Sequence, residues 1–156
     1  MLQNRRTFIK NSLSYSLTGL AASAGLISPE LLKAAAIEPV FRETNIEDAI
    51  ATISRDLKII PSNKIRLVAP KIAENGAIVP LSIKSSLTKT QSIAVFSEKN
   101  PIPLVAQFEL SPVTEPIVQA RIKMAASGNI IVIIKADQNL YTTRQYVKVT
   151  VGGCGE

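Results

Sequence analysis

Histidine and tryptophan are absent from this 156-residue chain, and cysteine occurs once, as Cys154. Without histidine, the commonest general base and metal ligand is missing, and Cys–His nucleophilic catalysis within the chain is excluded. A single thiol rules out a cysteine-rich metal centre and any intrachain disulfide. No glycine-rich phosphate loop of the P-loop or dinucleotide pattern occurs, and the carboxylates are scattered without an evident dyad. Aromatics make up only 4% of the residues, and the net charge of +6 is not gathered into a Lys/Arg stripe. Nucleic-acid binding is therefore not expected. Lys71, Glu74, Asn75, Arg121 and Lys135 are the polar candidates for lining a surface site, and they read better as a solvated sheet face. The chain is expected to be non-enzymatic, with no bound metal or organic cofactor.

Apolar residues are plentiful, at 46%, and rich in Ile and Val, which favour strands. Residues 1–36 read as an address. Arg5-Arg6 precede an apolar stretch from Leu13 to Ile27, and Ala34-Ala35-Ala36 supplies a small-residue cleavage site. Paired arginines in this setting mark a bacterial twin-arginine export signal. The apolar stretch is shorter than a membrane span needs, so no stable membrane anchor is expected. The mature protein is expected to begin near Ile37, in the periplasm.

The body, 37–151, opens with a short helix. Thr44 or Asn45 is placed to cap it, Glu47 and Asp48 suit its positive end, and Ile46, Ala49, Ile50 and Ile53 share one face. The helix is expected to end near Arg55, since Pro61 forbids much continuation. Seven strands follow: Ile65–Ala69, Ala77–Ser85, Gln91–Ser97, Leu104–Leu110, Val118–Met124, Ile130–Ala136 and Tyr141–Val151. Asn75-Gly76 is expected to form a tight hairpin turn, and Ser127-Gly128-Asn129 another turn. Ile130–Ala136 is apolar on both faces, so it is expected to be central. Strands at this spacing predict an all-β, immunoglobulin-like antiparallel sandwich.

The chain closes on Val149-Thr150-Val151-Gly152-Gly153-Cys154-Gly155-Glu156. Residues 152–156 read as a flexible arm that carries the thiol roughly 10 Å beyond the last strand, at about 3.3 Å per residue. Structural cysteines in an exported protein normally pair, and Cys154 has no partner in this chain. It must stay reduced, be capped, or bond to something else. An unperturbed thiol ionises near pH ~8.5, and the carboxylate of Glu156 opposes ionisation further. Such a thiol suits a carrier that is activated by its partners. The alternative is an exported β-sandwich interaction module whose cysteine forms an intermolecular disulfide.

Several stretches carry a family resemblance: Ala69-Pro70-Lys71-Ile72-Ala73-Glu74-Asn75-Gly76-Ala77-Ile78-Val79-Pro80, Asn100-Pro101-Ile102-Pro103, Arg121-Ile122-Lys123-Met124-Ala125-Ala126-Ser127-Gly128, Lys135-Ala136-Asp137 and the terminal Val149-Thr150-Val151-Gly152-Gly153-Cys154-Gly155. The sequence resembles the SoxY family, sulfur-carrier subunits of the bacterial Sox thiosulfate-oxidising system. The resemblance implies an immunoglobulin-like fold and a heterodimer with a smaller SoxZ-like β-sandwich subunit. It implies that Cys154 is the attachment site for covalently bound sulfur species, with Gly152, Gly153 and Gly155 as the swinging arm. The implied partners are a c-type cytochrome enzyme that conjugates thiosulfate, a di-manganese hydrolase that releases sulfate and, in some organisms, a molybdenum–haem sulfane dehydrogenase. The family arm usually ends in glycine, where this chain has Glu156.

Overall fold

The computed structural model describes residues 39–55 and 57–151. These belong to one unit of the chain, Glu38–Glu156. The expected signal segment and the expected arm, 152–156, lie outside the described residues.

A single 3-10 turn, Pro39–Arg42, leads to helix α1, Ile46–Ser54. The cap is Asn45 and not Thr44: its Oδ1 accepts the Glu47 and Asp48 amides at 2.7 and 3.4 Å. Arg55, in the left-handed conformation at φ 46°, closes the helix as its amide reaches the Ala51 carbonyl. The closure matches the helix end expected from sequence.

Among the described residues nine strands follow, where seven were expected: β1 Ile59–Pro61, β2 Ile65–Val68, β3 Ile72–Ala73, β4 Val79–Ser85, β5 Thr90–Ser97, β6 Leu104–Glu109, β7 Ile117–Ile122, β8 Gly128–Ala136 and β9 Asn139–Val149. They form the expected all-β sandwich. The larger sheet runs β1-β9-β8-β5-β6, and the smaller runs β2-β4-β7. The two strands not foreseen, β1 and β3, both lie parallel to β9, β1 at its start and β3 at its end. Two or three residues are too few to show a period of two, so neither had a sequence signal. Pro61 ends β1, where a missing amide costs no ladder bond.

The main core lies between the sheets. Val79, Leu81 and Ile83 of β4 face Ile93 and Val95 of β5 and Ile130, Val132 and Ile134 of β8. The larger sheet is also covered on its outer face. Val40 and Ala49, with half-buried Ile46, Ile50 and Ile53, pack on Ala94, Phe96, Leu104, Ile133 and Leu140. Strand β8 is therefore apolar on both sides, as its sequence suggested: even-numbered residues face the sandwich and Ile133 faces the helix layer.

Two turn assignments from sequence are corrected. The strands on either side of Asn75-Gly76 are antiparallel neighbours, Ile65 opposite Ser85 and Val68 opposite Ser82. Their connection, however, is residues 69–78 and not a tight hairpin, because Ile72–Ala73 leave to pair with β9. Ser127-Gly128-Asn129 is not a simple turn either, for Gly128 already pairs with Val147 as the first residue of β8. A Cβ at Gly128 would approach Lys99 Cγ to 2.9 Å, so glycine lets the Glu98–Lys99 turn lie against the strand.

Phe96 is fully buried beneath the helix layer. Phe96→Ala removes a large buried ring and leaves a cavity, an expected loss of about 3–5 kcal/mol. Urea unfolding followed by far-UV circular dichroism measures it, and a loss under about 1 kcal/mol would contradict the second core.

Candidate functional site

The sequence places its reactive group just beyond β9, so the way β9 ends decides how that group is presented. Cys154 and the arm glycines Gly152, Gly153 and Gly155 lie outside the described residues. The residues that precede them are among those described and are held by a series of hydrogen bonds.

Strand β9 is paired with β8 from Ala136–Asn139 to Gly128–Val147. On its other edge, the segment 69–76 runs alongside the last residues like a strap. Gln145 Nε2 donates to the Ala69 carbonyl at 2.6 Å. The Lys148 amide donates to the Lys71 carbonyl and the Thr150 amide to the Ala73 carbonyl, each at 3.0 Å. The Thr150 hydroxyl donates to the Glu74 carbonyl at 2.8 Å. Finally, the buried Gly76 donates its amide to the Val151 carbonyl at 2.8 Å. The backbone is thus bonded up to the residue that precedes Gly152.

The strap is itself anchored. Asn75 Oδ1 accepts the Ala77 amide at 2.8 Å, the local turn that Asn favours. The Gly76 carbonyl accepts the Met124 amide at 2.7 Å. Met124 belongs to the β7–β8 connection, which Asn100 ties down from both sides: Nδ2 donates to the Lys123 carbonyl and Oδ1 accepts the Ala125 amide, both at 2.8 Å. At the other end of this connection, Ser127 Oγ accepts the Val149 amide at 2.8 Å. Glu98 then holds the start of β8 through one carboxylate oxygen, which accepts the Asn129 backbone and side-chain amides at 3.0 and 2.7 Å.

Four of the five stretches that carry the family resemblance therefore meet at one end of the sandwich, around the root of the arm. The fifth does not: Lys135 lies opposite Leu140 at the far end of β8 and β9, and Asp137 makes an exposed ion pair there with Lys89. Of the scattered polar residues, Lys71, Glu74 and Asn75 belong to the strap. Arg121 faces Pro80 across β4 and β7 at the same end, while Lys135 is remote. Thr150, Asn100 and Ser127 lie within the resemblance stretches, but sequence alone assigned none of them a role of its own at this site. An Asn before Pro101 and a Ser before Gly128 give only the generic signal of a turn, and Thr150 in a β-branched run gives only that of a strand. Among the described residues no group of His, Cys, Asp and Glu is arranged to hold a metal ion, and no helix is long and apolar enough to cross a membrane.

The Asn129 hydrogen bonds, backbone first, hold the Glu98 carboxyl below its ordinary value of 4.5. The folded state therefore binds this proton less readily than the unfolded chain. Its stabilisation is present above the ordinary value and is lost as pH falls through the lowered one.

This arrangement defines a class: a β-sandwich with no metal-holding cluster among its described residues, whose last strand is clamped to the point where a Gly-Gly-Cys-Gly sequence begins. Residues 50–154 match the family described as sulfur oxidation protein SoxY. The solved sulfur carrier protein SoxY from Chlorobium limicola f thiosulfatophilum is 38% identical, with a TM-score of 0.63 over 69% of this chain and 97% of that one. The chain belongs to the SoxY family. A superoxide reductase (neelaredoxin) from Ignicoccus hospitalis is 17% identical, with a TM-score of 0.49 over 56% of this chain and 80% of that one. That likeness bears no weight here. No curated protein matches the chain.

Thr150→Val keeps the shape of the side chain but removes its bond to the Glu74 carbonyl, an expected cost of about 0.5–1.5 kcal/mol. The Gly76 amide, bonded one residue further on, is expected to lose hydrogen-exchange protection selectively. Unchanged protection at Gly76 would show that the strap holds without Thr150. For Glu98→Gln, the stability deficit relative to wild type is expected at pH 7 and to vanish as pH falls below the ordinary carboxylate range. A deficit that is the same at pH 3 and pH 7 in denaturant titrations would contradict the charged-acceptor role.

Proposed function

We propose that this protein is a covalent carrier of sulfur intermediates in thiosulfate oxidation, with Cys154 as the attachment site and Gly152, Gly153 and Gly155 as its arm. The observation that carries the reading is the clamp. The chain is bonded up to Val151, and the family match extends to Cys154. A pivot at a defined place, followed by residues without side-chain bulk, favours delivery of one thiol into narrow partner sites.

The chemistry is supplied by partners. Loading joins the Cys154 sulfur to the sulfane sulfur of thiosulfate: the S–H bond breaks, an S–S bond forms, one proton leaves, and two electrons would be taken up by c-type cytochrome haems of the partner enzyme, one by each. The product is Cys–S–S–SO₃⁻. Water then attacks the terminal sulfur in a di-manganese hydrolase, breaking the S–S bond to the sulfonate, so that sulfate leaves and a persulfide remains. In organisms that have it, a sulfane dehydrogenase oxidises that persulfide. The chain itself turns nothing over in this reading. A SoxZ-like subunit is its stable partner, and the twin-arginine segment 1–36 directs the folded chain to the periplasm.

Cys154→Ser is expected to abolish thiosulfate-dependent sulfate formation, at least 100-fold in the reconstituted system, while thermal stability stays within about 0.5 kcal/mol of wild type. Intact mass of protein from thiosulfate-grown cells, taken before and after a reductant, is expected to reveal a reducible sulfur adduct on Cys154. Normal turnover by the serine variant, or a cysteine that occurs only as a homodimeric disulfide, would overturn the proposal in favour of an interaction module.

A further inference from the structure

The smaller sheet has one covered face and one open face. Along β4, Val79, Leu81 and Ile83 are buried in the core, while Pro80 and Lys84 point outward. The open face is hollowed at the end nearest the arm. A concavity of about 820 Å³ is lined there by residues including Val68, Pro70, Pro80, Ser82, Gln119 and Arg121. Its walls are mainly apolar, and Val68 is 49% exposed. Arg121 is the single charged residue in the lining, and among the described residues it has no ion pair.

The position of this groove relative to the arm follows from the bonding. Gly76 is bonded to Val151, and Pro80, four residues further on, lies opposite Arg121. Four residues span at most about 14 Å, less here because Gly76–Ile78 lie in a turn before β4 begins at Val79, and the long Arg121 side chain shortens the gap. Residues 152–156 follow Val151 in the sequence, and five residues extend up to roughly 17 Å. Those residues bring anionic charge: the carboxylate of Glu156 always, and the sulfonate of the adduct when Cys154 is loaded. The glycines can lie close against an apolar wall because they have no Cβ.

We propose that this groove is the resting dock of the chain's own C-terminal segment, 152–156, with Arg121 receiving the anionic group at its tip. Docking in an apolar hollow keeps the sulfur adduct away from stray thiols between visits to partner enzymes. The assignment of the adduct rests on the carrier reading, but the dock does not, since Glu156 offers the same oxyanion chemistry.

The test uses the full chain and no partner enzyme. Tetrathionate converts the Cys154 thiol to Cys–S–S–SO₃⁻, releasing thiosulfate and a proton, so its S–S bond serves as the oxidant. Amide NMR spectra are compared before and after this treatment for wild type, Arg121→Gln, Arg121→Lys and Glu156→Gln. In wild type, loading is expected to shift the amides of Val68, Ala69, Ser82, Gln119 and Arg121. Those shifts are lost in Arg121→Gln and kept in Arg121→Lys. If the groove amides already differ between unloaded wild type and unloaded Glu156→Gln, the carboxylate anchors the tail. If they move only on loading, the sulfonate does. Shifts confined to residues near Val151, or unchanged by Arg121→Gln, overturn the dock. That result would leave the carrier role standing, because the role is judged separately by turnover of Cys154→Ser.

Discussion

The end of the sandwich that leads to Gly152 depends on the backbone pairing of β9 on both of its edges. An outermost strand that leads into a glycine tail would be expected to fray, since a terminal segment with few bonds opens at little cost. Here β8 holds one edge from Asn139 to Val147, and the strap 69–76 holds the other to Val151. A buried amide without a partner is costly, and the Gly76 amide finds one only at Val151. The same bond that satisfies the strap therefore fixes the backbone immediately before Gly152.

The strap also explains why distant stretches of sequence act together. Gly76 bonds Val151 through its amide and Met124 through its carbonyl. Met124 is positioned by a connection that Asn100 ties down. Each of these residues helps to hold the chain in place up to Val151. A carrier differs from an enzyme in this respect, for what the fold must specify is the origin and reach of one group.

The helix layer serves the other end of the same purpose. Strand β8, the neighbour of β9, is buried on both faces because α1 covers the outer side of the sheet. Covering both faces makes the strand that supports β9 one of the least exposed elements of the molecule. No disulfide is available, since the only cysteine is Cys154, so rigidity of the frame comes from this double burial.

The sequence alone determined the β-rich class, the helix with its first-turn carboxylates, the two-faced β8 and the singular thiol near its C-terminal end. Each of these is local: a period, a cap, a composition or a count. It also carried the family resemblance, through stretches whose common purpose it did not disclose. Only the tertiary structure decided that Asn75-Gly76 belongs to a strap and not to a hairpin turn, and that Lys135 stands apart from Arg121. It also brought Asn100, Ser127 and Thr150 to the root of the arm. The reason is physical. A two-residue strand such as Ile72–Ala73 has no readable period, and its partner lies more than seventy residues away at Lys148–Val149. Such pairing is specified by which edge of β9 remains open once the sheets have packed.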